Sequence, residues 1–332
     1  MSKYSVPYLI FLGLVIVGWL VFMISTQAFH LYQYHWPAAL TMVFGAFIAG
    51  ASSEGGGAVA FPVFTLLLGI APAVARNFSF AIQSIGMTAA SLLILGLGYK
   101  VEKKAILWAS IGGVGGILLT TFAWPNIFTP AEIKLFFVSL WLSFGFALYA
   151  INTNKSRIVY DEIQHFSGAD ALKLIFFGFL GGGVSGLIGN GIDILTFCLL
   201  TLNYRISEKV ATPTSVILMT ISTLQGLFLH WAIVGDFHVG SEAFNYWVVA
   251  APVVVICAPL GAWVINKFPR NAIASFLYFI IVLQFITAYY VLGKKGQLDL
   301  KHILFSLSVF LLGLMLFWII ARVRKKNISL AS

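Results

Sequence analysis

Two stretches of this 332-residue chain gather the residue types that can hold a small anion without a metal: GAFIAGASSEGGGAVAFP (45–62) and GFLGGGVSGLIGNGIDIL (178–195). Each interrupts apolar runs with Gly and short polar residues and adds one carboxylate, Glu54 or Asp193. A half-helix starting just after the glycines, near Ala58 and Ile192, presents free backbone N–H groups and the positive end of its dipole. Such an end favours negative charge. Gly55, Gly56, Gly57, Gly189 and Gly191 allow close backbone approach, while Ser52, Ser53, Ser185 and Asn190 supply short polar side chains. The competing reading is plain helix packing through small residues, as in the spacing of Gly182 and Gly186.

A carboxylate beside an anion site needs an explanation, because an ionised acid at the bilayer centre costs about 2.5 to 3.5 kcal/mol. Glu54 and Asp193 either carry a proton in part of a cycle, which couples transport to protons or a cation, or pair with a cation such as Arg76. Arg76 is placed to meet an anion with its guanidinium fork or to reach lipid headgroups. Asn77, Ser84, Thr88 and Ser91 share one face of the span that follows, and Thr212, Ser215, Ser222 and Thr223 share one face of the matching span. These stripes line a polar path or serve as glue between helices.

The elements that must position these residues follow from composition. Hydrophobic residues make up 60% of the chain and charged residues 9%, against about 25% charged in a soluble domain. The expected class is an all-α polytopic membrane protein. The formal charge of +9 then reads as a topology signal between spans, not as a nucleic-acid surface. Val6 to Ile24, with no cleavage pattern behind it, is expected to be a retained span. Two cysteines without a CxxC or His partner suggest neither a disulfide framework nor a metal site, and no cofactor is expected.

Apolar runs predict spans at 7–28, 75–97, 105–123, 131–151, 208–233, 246–266, 271–292 and 303–321. Regions 38–70 and 172–202 are interrupted at SSEGGG and GLIGNG, and halves of about 14 residues suggest re-entrant hairpins. With both hairpins returning to their starting side, fifteen of the twenty Lys and Arg fall in segments 1–6, 98–104, 152–173, 203–209, 267–270 and 322–332. That places both termini in the cytoplasm, in the inner or plasma membrane.

The blocks ARNFSFAIQS (75–84) and ATPTSVILMT (211–220) align at a shift of 136, and Gly55 and Gly57 align with Gly189 and Gly191 at 134. Three crossings per unit make the two units inverted. The expected organisation is an N-terminal helix and outer loop (1–37), repeat 1 (38–151), a cytoplasmic linker (152–171), repeat 2 (172–292), and a C-terminal helix with a basic tail (293–332), each repeat being a broken hairpin plus three spans.

Scattered histidines at 30, 35, 165, 230, 238 and 302 read as surface or span-end residues. One enzyme pattern is present: Gly183-Val184-Ser185-Gly186 matches the nucleophile motif of rhomboid-type intramembrane serine proteases, with His230 as its only histidine partner.

SSEGGGAVAFP with ARNFSFAIQS, and GVSGLIGNG with ATPTSV, resemble the TauE/SafE family of sulfite exporter-like membrane transporters, whose members carry an SGxxGxGG-type segment near the start of each half. The resemblance spans about 38 to 292 and points to Ser53, Gly55, Gly56, Gly57, Ser185, Gly186, Gly189 and Gly191, with departures at Glu54, Asn190 and Asp193. It implies a non-enzymatic secondary transporter, an exporter of sulfite or an organosulfonate by alternating access at mid-membrane. An anion channel is the alternative. The partners implied are the small anion and the bilayer, with assembly into a homo-oligomer left open.

Overall fold

The computed structural model describes residues 5–53, 55–123, 129–153 and 158–329, without the side chains of 57, 58, 62, 66 and 320–329. The Glu54 carboxylate therefore lies outside the described residues. The architecture is all-helical: α1 (Val6–Ser25), α2 (Leu31–Ala51), α3 (Gly57–Pro62), α4 (Pro72–Gly96), α5 (Lys103–Ala123), α6 (Pro130–Asn152), α7 (Gly168–Ile188), α8 (Ile192–Cys198), α9 (Glu208–Phe228), α10 (Glu242–Asn266), α11 (Arg270–Lys294) and α12 (Leu300–Ser329). Among the described residues nine helices are long and apolar enough to cross a bilayer. Eight of them fall on the eight expected spans, and the ninth is α7.

That ninth helix corrects the expectation of two short halves per hairpin. The first limbs, α2 and α7, have 21 residues each, about 31 Å at 1.5 Å per residue. Only the second limbs are short: α3 continues into a π turn at Val63–Leu67 and α8 into one at Leu199–Asn203. The glycines of GFLGGG leave α7 unbroken because they are a packing surface. Gly178 and Gly182 lie against the α5 backbone at Ala109 and Gly113, and Gly112 and Gly116 of α5 lie against Ile175 and Phe179. A Cβ at any of the four would collide with main-chain atoms, so the helices gain dispersion contact that side chains would block.

The same contact is built a second time. α2 packs on α10 as α7 packs on α5. Gly50 meets the Ala258 carbonyl as Gly182 meets that of Gly113, and Gly261 meets the Phe47 carbonyl as Gly116 meets that of Phe179. These pairs relate first limbs at a shift of 132. The second limbs relate at 136, where Thr65 donates to Phe61 O and Thr201 to Phe197 O, each at 2.7 or 2.8 Å. Between them, Gly55 (φ 72°) and Gly189 (φ 87°) share a left-handed conformation at 134. The length difference is thus split across the break, and α7 runs closer to its glycines than α2 does.

Much of the segment that joins α6 to α7 is tied down. Tyr160 N donates to Arg205 O, Ser207 N donates to Tyr160 O, and the Ile163 N–H meets Glu102 Oε2 at 2.7 Å. Glu102 Oε1 also accepts from Lys104 N, which satisfies one of the orphan donors at the start of α5.

Candidate functional site

α4 and α9 pack against each other, and Gln83 and Met219 sit where they meet the first break. A Cβ on Gly55 would stand 2.8 Å from the Met219 Sδ and 2.9 Å from the Gln83 Oε1. These two residues are 136 apart, the shift at which the two sequence blocks align, so aligned positions of α4 and α9 both face Gly55. The Gln83 amide nitrogen donates to Ser79 O (3.0 Å), Ser79 Oγ (2.9 Å) and Gly189 O (3.0 Å). A single side chain on α4 therefore touches both breaks. Its Oε1 is buried and has no hydrogen-bond partner among the described residues. Gly189 is held tightly there: a Cβ would stand 2.5 Å from Ser79 Cβ and 3.1 Å from Arg76 O, on a residue whose φ of 87° already favours glycine.

At the second break the expected free N–H groups are already in use. Gly191 N donates to Asp193 Oδ1 at 2.9 Å, and Ile192 N donates to Ser185 Oγ at 3.1 Å. The start of α8 is capped by this chain's own carboxylate and hydroxyl, a favourable arrangement for an acid at a helix N-terminus. These two N–H groups, expected to be free, are thus occupied by the chain's own side chains. Asp193 is fully buried, with Oδ2 unpartnered among the described residues. The position 136 before it is Gly57, which has no side chain to cap α3. Ser53 and Asn190 are buried beside the breaks, and Ser52 donates to Ile48 O. Gly56 packs on Met42, Ala49 and Gln83.

Arg76 and Asn77 belong to a separate cluster. The Arg76 Nε and Nη2 both donate to Asn77 Oδ1 at 3.2 Å, and Nη2 reaches Asp236 Oδ2 at 3.5 Å. The other carboxylate oxygen of Asp236 lies 2.8 Å from His230 Nδ1. Arg76 is thus paired with an acid in the α9–α10 loop. His230, read from the sequence as a surface residue, is 1% exposed and stacks on Phe80 with ring centroids 5.7 Å apart. Burial pushes the Asp236 carboxyl up, but hydrogen bonds from His230 and Asn77 and the charges of His230 and Arg76 outweigh it and hold it below the usual carboxylate range.

The hydroxyl stripes bond mainly within their own helices. Ser84, Thr88, Ser215 and Thr223 bond to carbonyls of their own helices, and Ser91 meets Thr220 across α4 and α9 at 2.8 Å. Thr212 lies apart from the breaks' glycines at 55 and 189, lining a small cleft with Gly50, Tyr99 and Pro213. Gln83, Met219, Ser79 and Asp236 were not singled out by the sequence. The signal for the first two was present in the aligned blocks, where the Gln83 amide stands opposite the Met219 thioether.

The protease pattern gains no support from geometry, because Ser185 Oγ takes the Ile192 N–H while His230 pairs with Asp236. Among the described residues no group of three His, Cys, Asp or Glu side chains is arranged to hold a metal. Neither a curated protein nor a solved structure matches the chain. The sequence profile described as "Sulfite exporter TauE/SafE" matches residues 38–290, from α2 through both breaks into α11, and the chain belongs to this family of membrane transporters.

Proposed function

We propose that this protein is a secondary transporter that exports a small sulfur-containing anion, sulfite or an organosulfonate, by alternating access around the two breaks. The family points to anion export; the choice between these anions and the mechanism are our own reading. The observation that carries it is Gln83, whose amide bonds Gly189 while its Oε1 faces Gly55. Any rocking of one unit against the other has to break the Gln83–Gly189 bond. The released N–H is then a donor for an oxyanion lodged against Gly55 and Gly56.

The anion is held toward the first break, because the N–H groups at the start of α8 are already taken by Asp193 and Ser185. Asp193 and Glu54 are the groups available for proton or cation coupling, and the two units are read as inverted with both termini cytoplasmic. Export of one net charge is favoured by about 2.3 kcal/mol per 100 mV of inside-negative potential. Proteoliposomes loaded with labelled sulfite test the proposal. Efflux that unlabelled external sulfite accelerates is expected of a carrier. Rapid conduction without such exchange would identify a channel, and an absence of flux with sulfite, taurine and isethionate alike would overturn the transport reading.

A further inference from the structure

Beside the second break, the structure carries an arginine and a histidine already covered by one carboxylate. Arg76 is 16% exposed and His230 is 1% exposed, whereas Asp236, which spans them, is 38% exposed. The carboxylate is therefore the water-facing member of the group. Its two oxygens are divided between the two partners, Oδ1 to His230 Nδ1 and Oδ2 to Arg76 Nη2, as two oxygens of a bound sulfonate would be.

Three further features suit a ligand site. The His230 Nε2 is buried and has no partner among the described residues. Phe80, held between Gly226 and the imidazole, fixes the ring from α4. Arg76 lies directly on the transport elements, since its carbonyl stands 3.1 Å from the Cβ position of Gly189. Displacing Asp236 requires only a turn of its side chain. The residue follows Gly235 (φ 75°) and precedes Phe237, which is buried against Phe244 and Trp247, so rotation about its own side-chain torsions carries the carboxylate into water while the loop stays anchored.

We propose that Arg76, Asn77 and His230 form a recognition site for a tetrahedral or trigonal sulfur oxyanion, and that Asp236 occupies it as a tethered surrogate which the arriving anion displaces. The proposal deepens the transporter reading and rests on it for its role in transport, but the site is measured by binding alone. A tethered competitor that fills the site about nine-tenths of the time weakens apparent affinity about tenfold. Purified protein is titrated with sodium sulfate and with sodium sulfite, at fixed ionic strength, and the shift in melting temperature is followed.

Asp236→Asn is expected to lower the apparent Kd about tenfold, and Arg76→Gln to abolish the anion-dependent shift with or without Asp236→Asn. Asp236→Ala gives the same reading should the asparagine still bond His230. If both Asp236 variants remain folded and bind no more tightly than the parent, the surrogate idea is wrong. If Arg76→Gln keeps the full shift, the anion binds elsewhere. A parent that shows the shift but moves no sulfite in proteoliposomes keeps this site and loses the transport proposal.

Discussion

Replacing Gln83 by Leu separates a role in stability from a role in transport. The amide nitrogen makes three hydrogen bonds, and its removal takes the donor away from the Gly189 carbonyl. Leaving a buried acceptor without a partner costs about 1 to 3 kcal/mol. The same substitution removes the Gln83 Oε1, a buried acceptor that has no partner to begin with, and that relief is of similar size. Leu also fills nearly the same volume in a position 1% exposed. The two contributions offset each other to within about 1 kcal/mol, so the melting temperature should move by only a few degrees.

Transport should respond quite differently. A donor worth one hydrogen bond to a charged oxyanion contributes about 1.5 to 3 kcal/mol, which is roughly a ten- to hundredfold fall in sulfite efflux. The assay is paired: labelled sulfite efflux from proteoliposomes, and thermal unfolding of the same preparation. Efflux within twofold of the parent, with unfolding unchanged, would refute the assignment of Gln83 to the transport site. A large loss of melting temperature would instead mark it as a structural tie between the breaks.

Gly189→Ala should lower both stability and flux, because αL geometry costs an L-residue about 1 to 2 kcal/mol and the new methyl meets Ser79; an unchanged melting curve would contradict the tight fit. Asp193→Asn keeps an acceptor for the Gly191 N–H and should unfold near the parent temperature, whereas Asp193→Ala loses the cap, about 0.5 to 2 kcal/mol. If the pH dependence of flux survives in Asp193→Asn, Asp193 is no coupling group. Glu102→Ala strands the N–H groups of Ile163 and Lys104, and loosening of segment 158–167 should appear as faster hydrogen exchange there. The Asp236 carboxyl is held low by its partners, so its contribution is present above the ordinary value near 3.9 and fades as pH falls through the lowered folded value. Protection factors of residues 234–241, with the intrinsic pH dependence of amide exchange divided out, should accordingly hold from pH 7 to about 5 and fall only in stronger acid.

Local composition suffices to set most of the helices and the two interruptions. Apolar runs of 20 residues partition into lipid whatever their neighbours are, so α1, α4 to α6 and α9 to α12 were legible from local composition. The glycines at 55 and 189 were legible as breaks because a left-handed φ selects for them at any packing. Tertiary structure decided which glycines break a helix and which join two. Gly178 and Gly182 have the same composition signal as the breaks, yet they keep α7 continuous because α5 supplies a Gly-lined backbone to rest on. It decided too that Arg76 faces Asp236, 160 residues away, and that Asp193 turns back on its own helix end. Gln83 is one of several polar residues on α4, and its meaning arises only when that helix is laid across both breaks, a placement that no local pattern encodes.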